Sequence, residues 1–331
     1  MDKKGKSEIA MMPEAGPYLS VVIPLFNEEK SLGELHSRLV GVLKSLDRTY
    51  EIIFIDDGSR DSTYKMICDM AKDDPHVVAI QLAKNYGQTA ALSAGFDNAS
   101  GDVIISMDGD LQHDPADLPL FLEKIDEGFD IVSGWRKHRV DNLFMRRLPS
   151  FLANRLLALV SGIRIHDFGT TYKAYRREVI KNIELFGEYH RYIPALANQI
   201  GASVVEIPIK NINRPKGRSN YNIGRFWPVL LDIIMLKFVV SYLARPLRLF
   251  GSMGLLAFLS GFSISFTLSV LSFAKVIGPL RERGALLLFS VFLMLVGLQF
   301  IVLGISAEMN SKIYYKVSNK YIYRIKRIEK R

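Results

Sequence analysis

Three oxygen-bearing side chains alternate in the stretch MDGDLQHDP, directly after the apolar run DVIIS. Asp108, Asp110 and Gln112 lie two residues apart, so they share one face if the chain stays extended. Two carboxylates held together without a basic partner repel each other, and a divalent cation relieves that repulsion. Oxygen-only ligation suits Mg²⁺ or Mn²⁺, usually completed by water and substrate phosphates. The stretch therefore predicts a metal site, with a solvated acidic turn as the alternative.

Short β-branched runs alternate with helical patterns from Leu19 to about Pro208. The predicted strands are LSVVIP, YEIIFID, HVVAIQL, DVIISMD and FDIVSGW. Near-continuous apolar strands separated by helices predict an α/β fold with a mostly parallel sheet. In such sheets ligands bind beyond the carboxyl ends of the strands. We therefore expect the chemistry at the residues that end these strands: Pro24, Asp56, Asp57, Asp108, Asp110, Trp135 and Arg136.

Two long apolar segments follow the predicted sheet. Residues 250–274 contain 25 successive residues without a charge, and residues 285–307 contain 23. As helices they would reach roughly 37 and 34 Å, against a hydrocarbon core of about 30 Å. The sequence therefore predicts an integral membrane protein with two transmembrane helices, although a buried soluble helix remains the alternative for either segment alone. Two helices make a thin bundle that could bury more surface with neighbours, which favours a homo-oligomer.

Basic residues flank these apolar segments. The chain has 43 Lys and Arg against 34 Asp and Glu, a net charge of +9. The tail 308–331 is far more basic than the loop between the spans, so the positive-inside rule places the tail and the large domain in the cytoplasm. Residues 226–248 are too charged to span, and Lys237, Ser241 and Arg245 recur on one helical stripe. This pattern favours an interfacial amphipathic helix on the inner leaflet.

Several ordered motifs precede the apolar segments, including VVIPLFNEEKSL, FIDDGSRDST and LAKNYGQTAALSAGFDNASGDVIISMDGDLQHDP. On these motifs, residues 19 to about 222 resemble the inverting family 2 glycosyltransferases of the GT-A fold, in the dolichyl-phosphate mannose synthase and bactoprenol glucosyltransferase branch. The resemblance implies a Rossmann-like GT-A domain that transfers a sugar from a nucleotide diphosphate to a polyprenyl phosphate. The two apolar spans resemble the bactoprenol type, which implies UDP-glucose as donor and undecaprenyl phosphate as acceptor.

The resemblance also implies roles for residues on the donor side. Asp110 would be the main metal ligand and so part of the catalytic apparatus, with Gln112 as a further ligand. Simpler alternatives exist, since Pro24 could merely end a strand and Asp57 could merely begin a turn. The residues that would bind the nucleotide are Pro24, Asn27, Glu28, Asp56, Asp57 and Asp108.

Arginines are the residues that the resemblance places on the acceptor side. Arg136 and Arg147 match positions where relatives hold the lipid phosphate, and the guanidinium fork suits phosphate oxygens. Relatives often carry a lysine where Asn220 stands in RPKGRSNYNIGRF, so Arg218, or Lys216 or Arg214, must supply the positive charge. A solvated surface charge is the alternative for any one arginine.

Asp167, in HDFGTTYKAYRREV, aligns with an acidic residue near the reacting centre of these relatives. A phosphate monoester is mostly ionised at neutral pH, with a second pKa of about 6, and hardly needs a base. We therefore expect Asp167 to orient the acceptor or the sugar, with proton abstraction as the alternative. A cap or turn in the DFG sequence is the purely structural interpretation.

The sequence predicts five regions: a flexible N-terminus 1–17, a GT-A catalytic domain 18–225, a juxtamembrane helix 226–248, a transmembrane hairpin 249–307 and a basic tail 308–331. GDP-mannose, UDP-galactose and UDP-N-acetylglucosamine are alternative donors. A membrane protein that binds nucleotide sugars without turnover is a further alternative. A processive synthase would carry a Q-x-x-R-W motif, and a nucleic-acid partner is not expected because no base-reading element emerges.

Overall fold

A computed structural model of the protein describes residues 16–137, 158, 161–163, 165–183, 185, 189–210, 242, 245–276 and 279–317. The chain divides into two compact units, Met1–Gly224 and Arg225–Arg331. Most of the predicted N-terminal lead-in, amphipathic helix and basic tail lies outside the described residues, and those three predictions stay untested.

The first unit contains a mixed sheet and its connecting helices. The strands are β1 Leu19–Leu25, β2 Tyr50–Asp56, β3 Val77–Gln81, β4 Val103–Ser106, β5 Ile131–Trp135, β6 Lys173–Arg176 and β7 Val204–Pro208. The helices are α1 Leu32–Ser45, α2 Thr63–Asp73, α3 Gln88–Asn98, α4 Leu118–Asp126, α5 Arg177–Ile180 and α6 Ile193–Gln199. Short 3₁₀ helices lie at Pro115–Asp117 and Tyr189–Arg191.

In the described part of the chain, these strands form one seven-stranded sheet in the order β3-β2-β1-β4-β6-β5-β7. Strand β6 runs antiparallel to both β4 and β5, and the other neighbouring pairs are parallel. The predicted mostly parallel α/β sheet is confirmed. Strands β6 and β7 were not predicted, because KAYR is short and charged and VVEIP carries a glutamate, so neither shows a clear apolar run.

Apolar side chains cover both faces of this sheet. Val21 and Ile23 of β1 pack with Leu39 of α1 on one face, and Val22 packs with Leu92 of α3 on the other. Every second residue of a strand therefore faces a different helical layer. This two-sided burial explains why the strands read as near-continuous apolar runs.

Gly95 lets α3 approach the sheet closely. A Cβ at this position would lie 2.3 Å from Val22 Cγ1 and 2.8 Å from Ile55 Cδ1. Such contacts are far shorter than van der Waals distance, so a larger residue would push α3 away from β1 and β2. The helix begins at Gln88, so its distance from the sheet also sets the position of its N-terminal turn.

The second unit contains two long helices, α7 Pro246–Phe273 and α8 Gly284–Val317, with a 3₁₀ helix at Leu280–Arg283 before the second. Both are long and apolar enough to cross a membrane. Only 17% and 11% of the most apolar 18-residue stretch of each helix are buried. Such low burial is unlike the core helix of a water-soluble domain. The pair therefore suggests membrane anchoring, as the sequence predicted.

The bounds of the two helices differ from those expected. Pro246 occupies the first turn of α7, three residues before the predicted hairpin, where a missing N–H costs nothing. The second helix continues about three turns past residue 307 to Val317. Glycines allow the helices to touch backbone to backbone: a Cβ on Gly254 would lie 2.6 Å from the carbonyl oxygen of Gly297.

Gly95→Ala should destabilise the first unit by about 1–3 kcal/mol, because the added methyl overpacks the contact between α3 and the sheet. Gly41→Ala is the matched control, since a Cβ at that exposed position of α1 meets nothing within 4 Å. That substitution should be neutral or stabilising by up to about 1 kcal/mol. Urea unfolding of the purified protein measures both, and equal effects would contradict the packing argument.

Candidate functional site

A cavity of about 390 Å³ opens where β1, β2 and β4 end. The start of α3 and the loop before it complete its wall. Five residues predicted for the donor side line this cavity, which opens at the edge of the sheet where the carboxyl ends of parallel strands usually bind ligands. The lining includes Pro24, Glu28, Asp57, Asn85, Gln88, Asp108 and Asp110.

The acidic cluster does not keep the extended geometry that its spacing suggested. Strand β4 ends at Ser106, and Leu111 has a φ of 62°, so the chain turns sharply between Asp110 and Gln112. Gln112 folds back on Asp110, whose carboxylate accepts hydrogen bonds from its backbone N at 3.1 Å and from its Nε2 at 2.8 Å. Gln112 thus donates to Asp110 through its nitrogen atoms, and its expected role as an oxygen ligand stays a prediction.

Asp108 is held from the opposite wall of the cavity. Its Oδ1 accepts a hydrogen bond from Gln88 Nε2, at the first residue of α3, over 2.7 Å. Asp108 and Asp110 therefore present oxygen donors to one cavity, which is the donor chemistry that Mg²⁺ and Mn²⁺ prefer. No group of three or more His, Cys, Asp or Glu side chains that could hold a metal occurs among the described residues. Water and substrate phosphates would have to complete the coordination of such an ion.

Asp57 shapes the wall of the cavity as well as lining it. Its two carboxylate oxygens accept the backbone N–H groups of Tyr86 and Gly87 at 2.8 and 2.9 Å. Gly87 precedes α3 with a φ of 93°, a conformation that glycine adopts without strain. The side chain predicted to contact the nucleotide base therefore also fixes the loop that leads into α3.

Two further predicted donor residues lie outside the lining of this cavity. Asp56 is fully buried and accepts the N–H of Ser59 at 3.2 Å. Asn27, with a φ of 57°, accepts the N–H of Arg60 at 2.8 Å. Asn27 thus joins the loop after β1 to the loop after β2, whereas Asp56 holds a turn within the loop after β2. Their contact with a nucleotide stays a prediction.

The two residues predicted for acceptor chemistry pair with each other. Arg136 follows β5, Asp167 precedes β6, and the guanidinium donates to both carboxylate oxygens at 2.7 and 3.0 Å. Only 14% of the arginine side chain and 5% of the aspartate side chain are exposed. Bidentate geometry in a nearly dry site makes this a strong, directional contact. The other predicted acceptor residues, Arg147 and Arg218, lie outside the described residues.

His113, which lies beside Asp108, was missed by the sequence analysis. It is buried, stacks on Tyr172 at 5.1 Å between ring centroids, and accepts the N–H of Asp108 on Nδ1 at 3.3 Å. Burial lowers the pKa of this imidazole, so it is neutral near pH 7. Its place directly after Gln112 was the available signal. The charged groups that act on its ring come from both clusters: Asp108, Asp110, Asp167 and Arg136.

A second buried histidine was also missed. His190 Nδ1 lies 2.6 Å from the Thr89 hydroxyl at the start of α3, and burial, with Arg191 and Lys173, lowers its pKa to about 3. Two charged residues, Lys173 and Glu206, are buried near Asp167 as well. No motif spacing pointed to these three residues.

Glucosyl-3-phosphoglycerate synthase from Mycobacterium tuberculosis, solved with Mn²⁺, UDP and phosphoglyceric acid, shares the fold with a TM-score of 0.52 and 19% identity, over 68% of this chain and 79% of that one. Residues 20–184 match the family described as glycosyl transferase family 2.

Two relatives match nearly the whole chain. The dodecaprenyl-phosphate galacturonate synthase of Rhizobium johnstonii is 39% identical over 92% of both chains. The undecaprenyl-phosphate 4-deoxy-4-formamido-L-arabinose transferase of Klebsiella pneumoniae is 38% identical over 94% of this chain and 93% of its own. The protein belongs to glycosyl transferase family 2 and is a glycosyltransferase, as its motifs predicted.

Arg136→Ala should lower the free energy of unfolding by about 3 kcal/mol or more, because it removes the bidentate guanidinium from the buried Asp167 carboxylate. Arg38→Ala is the matched control: Arg38 pairs with Glu34 on α1, and 45% and 53% of those side chains are exposed. Its loss should cost less than about 1 kcal/mol. Urea unfolding compares the two variants, and similar losses would mean that solvent screens the Arg136 pair.

Acid should destabilise the protein partly through His190. Its pKa is about 3 in the folded protein and about 6.5 when exposed, so the unfolded chain takes up the proton first as the pH falls through this window. His190→Asn keeps an acceptor for Thr89 but does not titrate. Between pH 6.5 and 4, the wild type should therefore lose more free energy of unfolding than the variant, whereas parallel curves would exclude this contribution.

Proposed function

We propose that the protein transfers a sugar from a nucleotide diphosphate to a polyprenyl phosphate. The observation that carries the proposal is the cavity at the strand ends, where Asp108 and Asp110 lie beside Pro24, Glu28 and Asp57. A nucleotide diphosphate usually binds together with a divalent cation, and the two carboxylates at this edge of the sheet can hold that cation. The names of the relatives support the lipid phosphate acceptor, and the two apolar helices agree with a lipid substrate.

On the donor side, Pro24, Glu28 and Asp57 bind the nucleotide, while Asp108 and Asp110 hold Mg²⁺ or Mn²⁺. An ion held by these two carboxylates would supply positive charge against the negative charge that grows on the departing diphosphate. Gln88 keeps the Asp108 carboxylate turned toward the cavity. Gln112 fixes the orientation of Asp110 through its two hydrogen bonds.

On the acceptor side, a phosphate oxygen of the lipid attacks the anomeric carbon, and the bond from that carbon to the diphosphate oxygen breaks. The diphosphate leaves with the bonding electrons, so the configuration at the anomeric carbon inverts. The attacking phosphate is already mostly ionised at neutral pH, with a second pKa of about 6, so no base is required. Arg136 binds the phosphate, assisted by Arg147 and Arg218, and Asp167 orients the Arg136 guanidinium.

We propose UDP-glucose as the donor, on the resemblance of the two-span region to the bactoprenol type. The relatives' names carry galacturonate and 4-deoxy-4-formamido-L-arabinose instead. The UDP derivatives of both sugars and GDP-mannose therefore belong in the same assay. We further propose that the two helices anchor the protein in the cytoplasmic membrane, with the catalytic domain and the basic tail in the cytoplasm, as a homo-oligomer.

Detergent-purified protein given undecaprenyl phosphate, Mg²⁺ or Mn²⁺ and each radiolabelled nucleotide sugar should move label into the organic phase. Chelation by EDTA should abolish the transfer, and Asp110→Asn should lower it by about 100-fold or more, because charge on the leaving diphosphate is no longer balanced. Asp69→Asn is the control, since Asp69 pairs only with the exposed Lys72 on α2 among the contacts described.

The outcome separates transfer from simple binding. Label that moves with one donor and requires both metal and Asp110 would establish the reaction and identify the sugar. Nucleotide binding without any transfer, across all of these donors, would favour the non-catalytic alternative.

A further inference from the structure

Four polar side chains form a row across neighbouring strands of the first unit: Ser106 on β4, Lys173 on β6, Ser133 on β5 and Glu206 on β7. Ser106 pairs with Lys173, Lys173 with Ser133, and Ser133 with Glu206 in the register of the sheet. Directly paired residues project from the same face, so these four side chains lie side by side. We call them the polar row.

The polar row is buried even though it contains two opposite charges. Ser106, Lys173 and Ser133 are at most 1% exposed, and 7% of the Glu206 side chain is exposed. Burying a charged side chain costs several kcal/mol unless polar partners replace its water. The partners of this row should therefore indicate what the charges are for.

Glu206 holds the backbone that leads into Asp167. Its carboxylate accepts the N–H of Asp167 at 2.9 Å and the N–H of His166 at 3.0 and 3.1 Å. The same carboxylate contacts His166 Nδ1 at 2.7 Å. The His166 ring in turn stacks on Trp135, with 4.4 Å between ring centroids. A negative side chain thus binds consecutive N–H groups at the start of this loop.

Lys173 holds the backbone that leaves Asp167. Its Nζ donates to the carbonyl oxygens of Phe168, at 3.4 Å, and of Thr170. Ser106 Oγ donates to the next carbonyl, that of Thr171, at 2.5 Å. Burial lowers the pKa of Lys173 to about 7, and the nearby Asp167 opposes this shift by favouring the ammonium form. The Lys173 amine thus donates to the carbonyl side of the same loop.

We propose that Glu206 and Lys173 are positioning residues, which hold the loop 166–171 so that the Asp167 carboxylate engages Arg136. Before Asp167 the loop presents N–H groups, and the Glu206 carboxylate accepts them. After Asp167 it presents carbonyl oxygens, and Lys173 Nζ donates to them. An apolar side chain could fill either position at a smaller desolvation cost, so burial alone does not account for the two charges. The predicted effect on turnover rests on the proposed function, whereas the predicted position of the loop does not.

Glu206→Gln tests the positioning role in the transfer assay. Because a displaced Asp167 would no longer orient Arg136, turnover at saturating donor and acceptor should fall by about 10- to 100-fold. Binding of the nucleotide alone, measured by titration calorimetry with UDP and Mg²⁺, should change by less than about twofold, since the donor cavity is lined by other residues.

Asp130→Asn is the matched control. Asp130 is 11% exposed in its side chain and accepts the N–H and Oγ of Ser203 at 2.8 and 2.9 Å, just before β7. It is therefore an equally buried carboxylate that binds backbone near the same strand, away from Asp167. Its substitution should lower stability with turnover changed by less than about twofold. Equal turnover in Glu206→Gln and the wild type, with Asp167→Asn inactive, would overturn the proposal.

Lys173→Met provides a second variant that does not depend on the first. Methionine fills a similar volume without a buried charge, so the relief of desolvation offsets the lost hydrogen bonds, and the melting temperature should shift by less than about 5 °C. Turnover should nevertheless fall by about tenfold or more, because the loop loses its anchor. A variant that melts far lower but keeps full turnover would show a purely structural role for Lys173.

A fluorescence measurement tests the position of the loop without any activity. The chain has two tryptophans, Trp135 and Trp227, so Trp227→Phe leaves only the one that stacks on His166. In that background, Glu206→Gln should change the emission of Trp135 and raise its quenching by acrylamide, whereas Asp130→Asn should not. An unchanged spectrum in Glu206→Gln would overturn the positioning role. This result would hold even if none of the nucleotide sugars proved to be a substrate in the transfer assay.

Discussion

The nearly buried ion pair between Arg136 and Asp167 is the contact on which the second half of the sheet depends. Removing two charges from water is expensive, and the pair is tolerable because both carboxylate oxygens meet the guanidinium fork. The N–H of Gly169 adds a hydrogen bond to Asp167 Oδ1 at 3.1 Å. The pair can form because β5 and β6 are antiparallel, which puts the end of β5 beside the start of β6.

The donor half of the site follows a different physical rule. Parallel strands β1, β2 and β4 end at one edge, so residues distant in the sequence converge there without any specific contact between them. This rule made the cavity predictable from apolar runs and from the residues after them. Pro24, Asp57, Asp108 and Asp110 were identified at strand ends in this way, whereas Glu28 was named only through the resemblance to the family.

The features that the sequence did not reveal depend on hydrogen bonds between side chains and backbone. Gln112 was expected to point with Asp108 and Asp110, but a left-handed Leu111 breaks the alternation on which that expectation rested. Lys173 and Glu206 resemble surface residues in composition, and only the register of strands β6, β5 and β7 shows that they are buried together. Neither contact has a periodicity that sequence analysis could detect.

The direction of β6 has a further consequence for how this enzyme can diversify. Because β6 is antiparallel to its neighbours, its first residue lies beside the ends of β4 and β5. The loop before β6 therefore lies at the same edge of the sheet as the residues that follow β4 and β5. The residues proposed to bind the donor lie in one continuous segment, 24–112, and those proposed to bind the acceptor lie after residue 135. If these assignments hold, the residues that recognise the sugar nucleotide and those that recognise the lipid phosphate lie in separate stretches of the chain, so substitutions in one stretch can change its ligand and leave the other stretch unaltered.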